Sequence, residues 1–241
     1  FRAISKEIAK PYQYSFSSAV KNAVGRRLED IYDDWYEENL IKYRAQFTRI
    51  NKISTRKEVL IDSGIANLHP VWSPNGEKFA YLSNEGKDYF GQTDLYVYSF
   101  SDSSYEKAVR GVFSAPIWLN DSTLIFSKKS SPNKYGSKYY DLYLYELNQK
   151  KKKPKRLTHG LRLTSPSIDK ETKILAAIGI KDGVSNIYIT SIENHTIEEL
   201  DSLRFDKITP FEKGEKIFSL SINGKKIYFD IVKEHTRDIY I

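Results

Sequence analysis

Residues 68–100 read LHPVWSPNGEKFAYLSNEGKDYFGQTDLYVYSF, and they predict three strands of one small antiparallel sheet. Residues 69–72 form a short first strand. A tight turn at 73–76 follows it, because proline presets φ and an Asn-Gly pair accepts positive φ. Alternating apolar and polar residues predict a second strand over 78–83 and a third over 94–98.

The same unit recurs along the chain, and this repetition decides the predicted architecture. The third-strand signature occurs at 94–97 (DLYV), 141–144 (DLYL), 186–189 (NIYI) and 238–241 (DIYI), at spacings of 47, 45 and 52 residues. The first-strand motif occurs at 70–72 (PVW), at 116–118 (PIW) and more weakly at 166–168 (PSI). A four-stranded sheet every 40–50 residues or so is the period of a β-propeller. Because one such blade cannot bury both of its faces, neighbouring blades must stack.

The motif at 70–76, with the strand and Asp-Leu-Tyr-Val signature that follow it, resembles the repeat of TolB-like β-propellers. The resemblance covers 57–241 and weakens after the first copy. It implies a mainly β fold of four-stranded antiparallel blades, about three and a half of them, at about 65–110, 111–160, 161–205 and from near 216. The sequence begins with Phe1 and ends within a third strand, so we expect a piece of a longer protein, whose propeller (48–241) is incomplete at its C-terminus.

Residues 1–47 differ in kind and predict a helical segment. Apolar residues at i, i+3, i+4 and i+7, from Leu28 to Trp35, give one helix an apolar face that is typical of a core or an interface. The pattern Gly25-x-x-Leu28-Glu29 followed by Trp35 resembles the last helices of a peptidase-MA-like (gluzincin) metallopeptidase domain. In some bacterial proteins such a domain directly precedes a TolB-like propeller. The zinc motif of that family, His-Glu-x-x-His, is absent from this sequence, so the resemblance implies an upstream domain. Residues 49–60 bridge the two parts, and 57–61 predict a strand that belongs to a blade edge or closes the ring.

Composition excludes several kinds of site. The sequence of 241 residues contains no cysteine, which rules out disulfides, thiolate metal sites and a cysteine nucleophile here. The sequence contains no run of 18 apolar residues, so it predicts no transmembrane helix. The net charge of +7 owes much to the basic run 150–156 (KKKKPKR), which we interpret as a solvated connecting loop of blade two.

Candidate functional residues are few. There is no Gly-x-Ser-x-Gly elbow and no glycine-rich phosphate loop, and the four histidines are dispersed. We therefore predict no catalytic, metal or cofactor site in this segment. His69 is the one candidate binding residue, because it lies on the first strand of a blade, which in propellers is nearest the axis. A hydrogen bond within its own blade is the favoured alternative. Trp72 and Trp118 occupy equivalent positions, which predicts inter-blade core for both.

The absence of catalytic motifs favours a non-catalytic module that binds a protein or peptide. The resemblance to TolB-like propellers implies that it belongs to a larger bacterial envelope protein, in the periplasm or cell envelope. The resemblance implies partners at the channel or rim, commonly peptide segments in an envelope complex. As an alternative, the propeller gates or positions substrate for a peptidase or hydrolase domain encoded elsewhere in the same protein. A third hypothesis, nucleic-acid binding through 150–156, ranks last, because residues 148–154 lack the aromatic side chains that RNA-binding surfaces interleave with basic ones.

Overall fold

The computed structural model describes residues 1–53, 58–149 and 153–241. These form two compact units, Phe1–Leu60 and Ile61–Ile241. The first unit contains the helices α1 (Arg2–Ile8), α2 (Phe16–Val24) and α3 (Leu28–Ile53). Helix α2 begins after Ser15, whose hydroxyl accepts a hydrogen bond from the backbone N–H of Ser18, and it ends at Gly25, which has the left-handed φ of 79° that glycine adopts freely. No described helix is long and apolar enough to cross a bilayer.

The aromatic residues of α3 are exposed to solvent. Tyr32 and Trp35 contact each other, with ring centroids 5.7 Å apart, but both side chains remain exposed. Among residues 1–50, the buried side chains are those of Ala19 and Val20, on α2. Tyr32 and Trp35 therefore form no buried core within this unit, and the prediction of a core or an interface for the stripe stays a prediction.

The second unit consists of four consecutive antiparallel sheets, which are the blades of a β-propeller. Blade one contains β1 (Asn67–Trp72), β2 (Lys78–Ser83), β3 (Asp94–Ser99) and β4 (Ser104–Val109). Blade two contains β5 (Ile117–Asn120), β6 (Thr123–Lys129), β7 (Tyr140–Glu146) and β8 (Lys155–Arg156). Blade three contains β9 (Leu163–Asp169), β10 (Ile174–Lys181), β11 (Val184–Ser191) and β12 (Asp206–Lys207). Blade four contains β13 (Lys216–Asn223), β14 (Lys226–Lys233) and β15 (Thr236–Tyr240). Strands follow one another in chain order within each sheet, so the predicted mainly β, propeller-blade fold is confirmed.

Apolar side chains between successive blades form the core. Leu82 and Leu95 of blade one pack against Trp118 and Phe126 of blade two in one cluster. Trp118 is only 3% exposed, and its indole Nε1 donates a hydrogen bond to the Val71 carbonyl of blade one at 2.9 Å. This tryptophan therefore joins two blades, as the repeat predicted.

The equivalent residue of blade one, Trp72, departs from the prediction. Its side chain is 60% exposed and stacks on Phe100, with centroids 5.2 Å apart. Trp118 is buried because blade one covers it, whereas no blade formed by the described residues lies on the corresponding side of blade one. The prediction of a buried Trp72 is therefore wrong, because repetition in sequence does not give the first copy the neighbour that buries later copies.

The segment before blade one forms no strand where 57–61 was predicted to do so. Lys57 lies outside the described residues, and 58–61 has no strand pairing. Ile61 instead packs against the aromatic cluster of blade one that contains Phe79 and Tyr81. The Asn84 side chain accepts hydrogen bonds from the backbone N–H groups of Ile65 and Ala66, at 3.0 and 2.9 Å. The packing of Ile61 and the hydrogen bonds to Asn84 thus hold this segment against blade one, in place of the predicted strand pairing.

Blade three extends beyond its predicted end at 205. Its outer strand, β12, follows a 3₁₀ helix, Ile197–Ser202. The sequence analysis did not predict this helix. Three of the seven residues of the basic run, 150–152, lie outside the described residues. The interpretation of the run as a solvated loop is wrong for Lys155 and Arg156, which form β8 and are half-buried, and it stays a prediction for 150–152. Lys155, in the described part, forms an ion pair with Asp201 at 3.2 Å.

In blades one to three, the recurrent Asp or Asn near the start of the third strand is a structural clamp, because its side chain binds the backbone that follows the outer strand. Asp94, Asp141 and Asn186 are buried, and each accepts a hydrogen bond from a backbone N–H beyond the outer strand of its blade. The donors are Gly111, Gly160 and Phe211, at 2.9, 3.0 and 3.0 Å. Burial tends to raise the pKa of Asp94, but the Gly111 N–H and the lysines beside it hold that pKa below its usual value. The signature thus fastens each inter-blade connection to its own blade.

The Asp169 side chain links blades three and four through hydrogen bonds, and its lowered pKa makes the stability of the fold depend on pH. Its carboxylate accepts hydrogen bonds from the backbone N–H groups of Thr172 and Gly224 at 2.7 and 2.5 Å, and these lower its pKa from 3.8 to about 2. Because the folded-state pKa is depressed, this stabilisation is present above pH 3.8 and is lost as the pH falls through about 2. We expect Asp169→Asn to lower the melting temperature at pH 7, and the difference from the parent to shrink below pH 3.8. Asp182→Asn, at an exposed turn, is the control, and a constant difference for Asp169→Asn across this pH range would contradict the assignment.

Candidate functional site

The longest connections within blades one and two, 84–93 and 130–139, lie at the same end of the blades. At one end, which we call the loop end, β1 begins and β2 ends, and the connections of blades one and two span 84–93, 110–116 and 130–139. At the opposite end, the turn end, the first two strands of these blades are joined by 73–77 and 121–122. Long loops on a rigid scaffold are common sites of binding.

Exposed aromatic side chains project from these connections. They are Tyr89 (68% exposed), Phe90 (66%), Phe113 (53%) and Tyr135 (78%). The loop that carries Tyr135 is ordered by Asn133, whose side chain accepts hydrogen bonds from the backbone N–H groups of Tyr135 and Ser137 at 2.9 and 3.0 Å. Aromatic side chains are enriched in protein interfaces, so their presentation from ordered loops marks this end as a candidate contact surface.

A cavity of about 420 Å³ opens at the loop end between blades one and two. Four of its lining residues are cationic and two are aromatic, and we call it the basic pocket: Lys87, Arg110, Lys128, Lys129, Phe113 and Tyr140. Its remaining walls include Asp94 and the backbone around Gly91 and Gly111. The clamp of blade one thus lies in the wall of the pocket.

Hydrogen bonds between connections hold the pocket in shape. Thr93 and Val112 exchange two of them, from the Val112 N–H to the Thr93 carbonyl at 3.0 Å and from the Thr93 hydroxyl to the Val112 carbonyl at 2.6 Å. The N–H of Phe113 donates to the Ser127 carbonyl, on β6, at 3.0 Å. Loops of both blades are therefore fixed to each other, and the pocket is formed before any ligand arrives.

The single carboxylate in the lining, Asp94, already has cationic partners. Its Oδ2 lies 3.3 Å from Lys87 Nζ and 3.2 Å from Lys107 Nζ, and Lys107 is not a lining residue. Two lysines thus offset one carboxylate, which leaves Arg110, Lys128 and Lys129 as the excess positive charge of the pocket. Among residues 1–53, 58–149 and 153–241, no carboxylate forms an ion pair with any of these three.

Local contacts orient two of the remaining cations. The Lys128 ammonium donates a hydrogen bond to the Arg110 carbonyl, and partial burial lowers the pKa of Lys128. The ammonium of Lys129 lies over the Tyr140 ring, 5.4 Å from its centroid, and this ring contacts Phe113 with centroids 4.4 Å apart. The pocket therefore presents cations beside an aromatic wall.

His69, the candidate binding residue, lies on β1 as predicted but does not line the basic pocket. His69 and Pro70 form a bulge opposite Tyr81, between the pairs Leu68–Leu82 and Val71–Ala80, and His69 has a positive φ of 54°. Its side chain is exposed, and no hydrogen bond joins that side chain to another described residue of its blade. The alternative of a hydrogen bond within the blade therefore finds no support, and a ligand contact at His69 stays a prediction.

Sequence reasoning missed the basic pocket and the loop-end aromatics. A usable signal existed, because the connections 84–93 and 130–139 are longer than the turns opposite them and carry both aromatic and basic residues. Within the described ranges no group of three or more His, Cys, Asp or Glu side chains could hold a metal ion.

Comparison with known proteins supports the fold alone. No family model matches the chain, and no curated protein matches its sequence. Similar solved structures include a puromycin-hydrolysing peptidase of Mycobacterium tuberculosis, with a TM-score of 0.54 and 14% identity over 72% of this chain and 27% of that one. A prolyl endopeptidase has a TM-score of 0.55 and 12% identity, over 74% of this chain and 28% of that one. A TolB from Agrobacterium tumefaciens, described as putative, has a TM-score of 0.50 and 16% identity, over 71% of this chain and 57% of that one. The chain thus spans about a quarter of the length of these peptidases and 57% of that TolB. The resemblance of 1–47 to a peptidase-MA-like domain stays a prediction.

Proposed function

We propose that the second unit is a binding module, which holds a polypeptide segment across the loop end of blades one and two and catalyses no reaction itself. The observation that carries this proposal is that the three connections at the loop end carry four exposed aromatic side chains, and that residues of or next to these connections line the basic pocket. Aromatic side chains supply most of the binding energy in many interfaces, because they bury a large area with little loss of side-chain entropy. The scaffold beneath them is rigid, so binding loses little to ordering.

The protein that carries this module belongs, in this proposal, to the bacterial periplasm or cell envelope. Support comes from the TolB-like repeat at 68–100 and from the likeness of the fold to a TolB structure. A gating role for a peptidase or hydrolase domain of the same protein is the second candidate. It is favoured by the likeness of the blades to peptidase structures, in which the matched region makes up about a quarter of the chain. In both roles the bound species is a polypeptide.

Selection from a random peptide library tests the binding proposal. The complete 241-residue chain is used as bait, and selected peptides are titrated against the parent and a loop-end variant carrying Tyr89→Ser, Phe90→Ser and Tyr135→Ser. Because these three side chains are exposed, the variant should fold like the parent. We expect its affinity for the selected peptides to fall by at least about tenfold.

A matched control removes three exposed large side chains elsewhere, with Tyr228→Ser, Ile239→Ser and Ile241→Ser. This control should bind within about twofold of the parent, as surface changes away from an interface do. The proposal fails if the library yields no binders, or if the loop-end variant binds as tightly as the control. Cleavage of a selected peptide by the purified chain would overturn the non-catalytic part alone.

A further inference from the structure

The basic pocket carries unbalanced positive charge in a partly closed space. Arg110, Lys128 and Lys129 line it, and none of the three forms an ion pair with a carboxylate in the described part of the chain. Lys128 is half-buried, whereas Arg110 and Lys129 are exposed. Partial burial of the Lys128 ammonium beside two further cations disfavours its charged form in the empty pocket. A ligand with negative charge removes this penalty, whereas a neutral ligand leaves it in place.

The residues that line the pocket restrict the class of ligand that fits it. The rings of Phe113 and Tyr140 form an apolar wall beside the cations, so the pocket suits an anion that has an apolar group next to it. A cavity of about 420 Å³ has room for two neighbouring side chains of a peptide. An acidic residue followed or preceded by an apolar residue meets both requirements.

We propose that the basic pocket binds a side-chain carboxylate of an acidic polypeptide segment, with Arg110, Lys128 and Lys129 holding the carboxylate and Phe113 and Tyr140 contacting the adjacent apolar residue. This inference rests on the proposed function and names the class of segment that the loop end accepts. Lysine suits the role because its ammonium carries three rotatable donors and follows a mobile carboxylate. Partial burial lowers the pKa of Lys128, although the nearby Asp94 carboxylate acts in the opposite direction.

Nucleic acid fits the same pocket less well. Single strands are bound where cations follow a continuous groove and separated aromatic rings accept successive bases. Here Phe113 and Tyr140 contact each other at 4.4 Å, and Lys129 covers one face of Tyr140, which leaves no gap between the rings for a base. The cations also surround one cavity between two blades and do not follow a line across the surface.

The test uses a short fluorescein-labelled peptide in which Glu alternates with Leu, blocked at both ends so that its only charges are side-chain carboxylates. A second peptide has Gln in place of every Glu. Fluorescence anisotropy measures the affinity of both for the 241-residue chain at physiological salt. We expect the Glu peptide to bind at least about tenfold more tightly than the Gln peptide.

Three protein variants locate the effect. The double variant Lys128→Gln with Lys129→Gln should bind the Glu peptide at least about tenfold more weakly than the parent does. Lys225→Gln with Lys226→Gln removes equal charge from exposed positions at the turn end of blade four and should change affinity by less than about twofold. Lys128→Arg with Lys129→Arg keeps the charge and should retain most of the binding, which separates lost charge from lost folding.

Several outcomes would overturn the inference. These are equal affinity for the Glu and Gln peptides, equal losses in the two glutamine double variants, and tighter binding of an oligothymidylate of equal charge with the same dependence on Lys128 and Lys129. Displacement of the Glu peptide by millimolar inorganic phosphate would assign the pocket to a free anion instead. If library peptides still need Tyr89, Phe90 and Tyr135 while any of these results holds, the proposed function stands and the acidic-segment inference alone fails.

Discussion

Replacing Trp118 by alanine is expected to destabilise the second unit by about 3–5 kcal/mol, the range for large aromatic truncations in protein cores. The side chain is 3% exposed and packs in the cluster that joins blades one and two, so its removal leaves a cavity between them. It also leaves the Val71 carbonyl without the indole donor. Urea unfolding, followed by circular dichroism and extrapolated linearly to water, measures the change in the free energy of unfolding.

The control lies one repeat earlier in the same motif. Trp72→Ala removes an identical side chain that is 60% exposed and contacts Phe100, and stacked pairs contribute about 0.5–1.5 kcal/mol beyond their buried area. We therefore expect Trp72→Ala to cost clearly less than Trp118→Ala. Equal losses for the two variants would contradict the assignment of Trp118, and not Trp72, to the inter-blade core.

Replacing Asp141 by alanine is the second change for which we expect a large effect, a loss of about 3 kcal/mol or more in the free energy of unfolding. The carboxylate is fully buried and accepts hydrogen bonds from Arg156 at 2.5 Å, from the Thr158 hydroxyl at 3.0 Å and from the Gly160 N–H at 3.0 Å. Alanine leaves these donors without their acceptor and releases the connection to blade three. The same unfolding measurement applies.

The signature itself supplies the control for this prediction. Asp238 occupies the equivalent position in blade four, but its side chain is exposed. Asp238→Ala should therefore stay within about ±0.5 kcal/mol of the parent, as exposed substitutions usually do. If both variants lost the same stability, the signature would act through strand propensity and the clamp would not explain its recurrence.

Much of the fold could be predicted because its signals are local. Alternation within each strand, the Asn-Gly turn at 75–76 and the spacing of Asp94, Asp141, Asn186 and Asp238 all report on one blade at a time. These signals predict the propeller blades, which the structure confirms. They also marked the clamp positions, although their partners, Gly111, Gly160 and Phe211, become apparent only from the folded chain.

The rest could not be predicted because it depends on contacts between distant residues. Lys87 and Lys128 line one pocket although they are 41 residues apart, and only the stacking of two blades brings them together. The exposure of Trp72 depends likewise on which side of its blade is covered, and the motif around it does not encode that. His69 was predicted to bind a ligand because of its position on the first strand, whereas the basic pocket lies among the connections between strands.

The position of a bound library-selected peptide tests most directly the central claim, that the loop end of blades one and two is the binding surface. Hydrogen–deuterium exchange of the 241-residue chain, with and without peptide, measures where amide protection increases. The account predicts increased protection in 84–93, 110–116 and 130–139 and no change in the turns at 73–77 and 121–122. Protection concentrated in those turns, or confined to blades three and four, would contradict it.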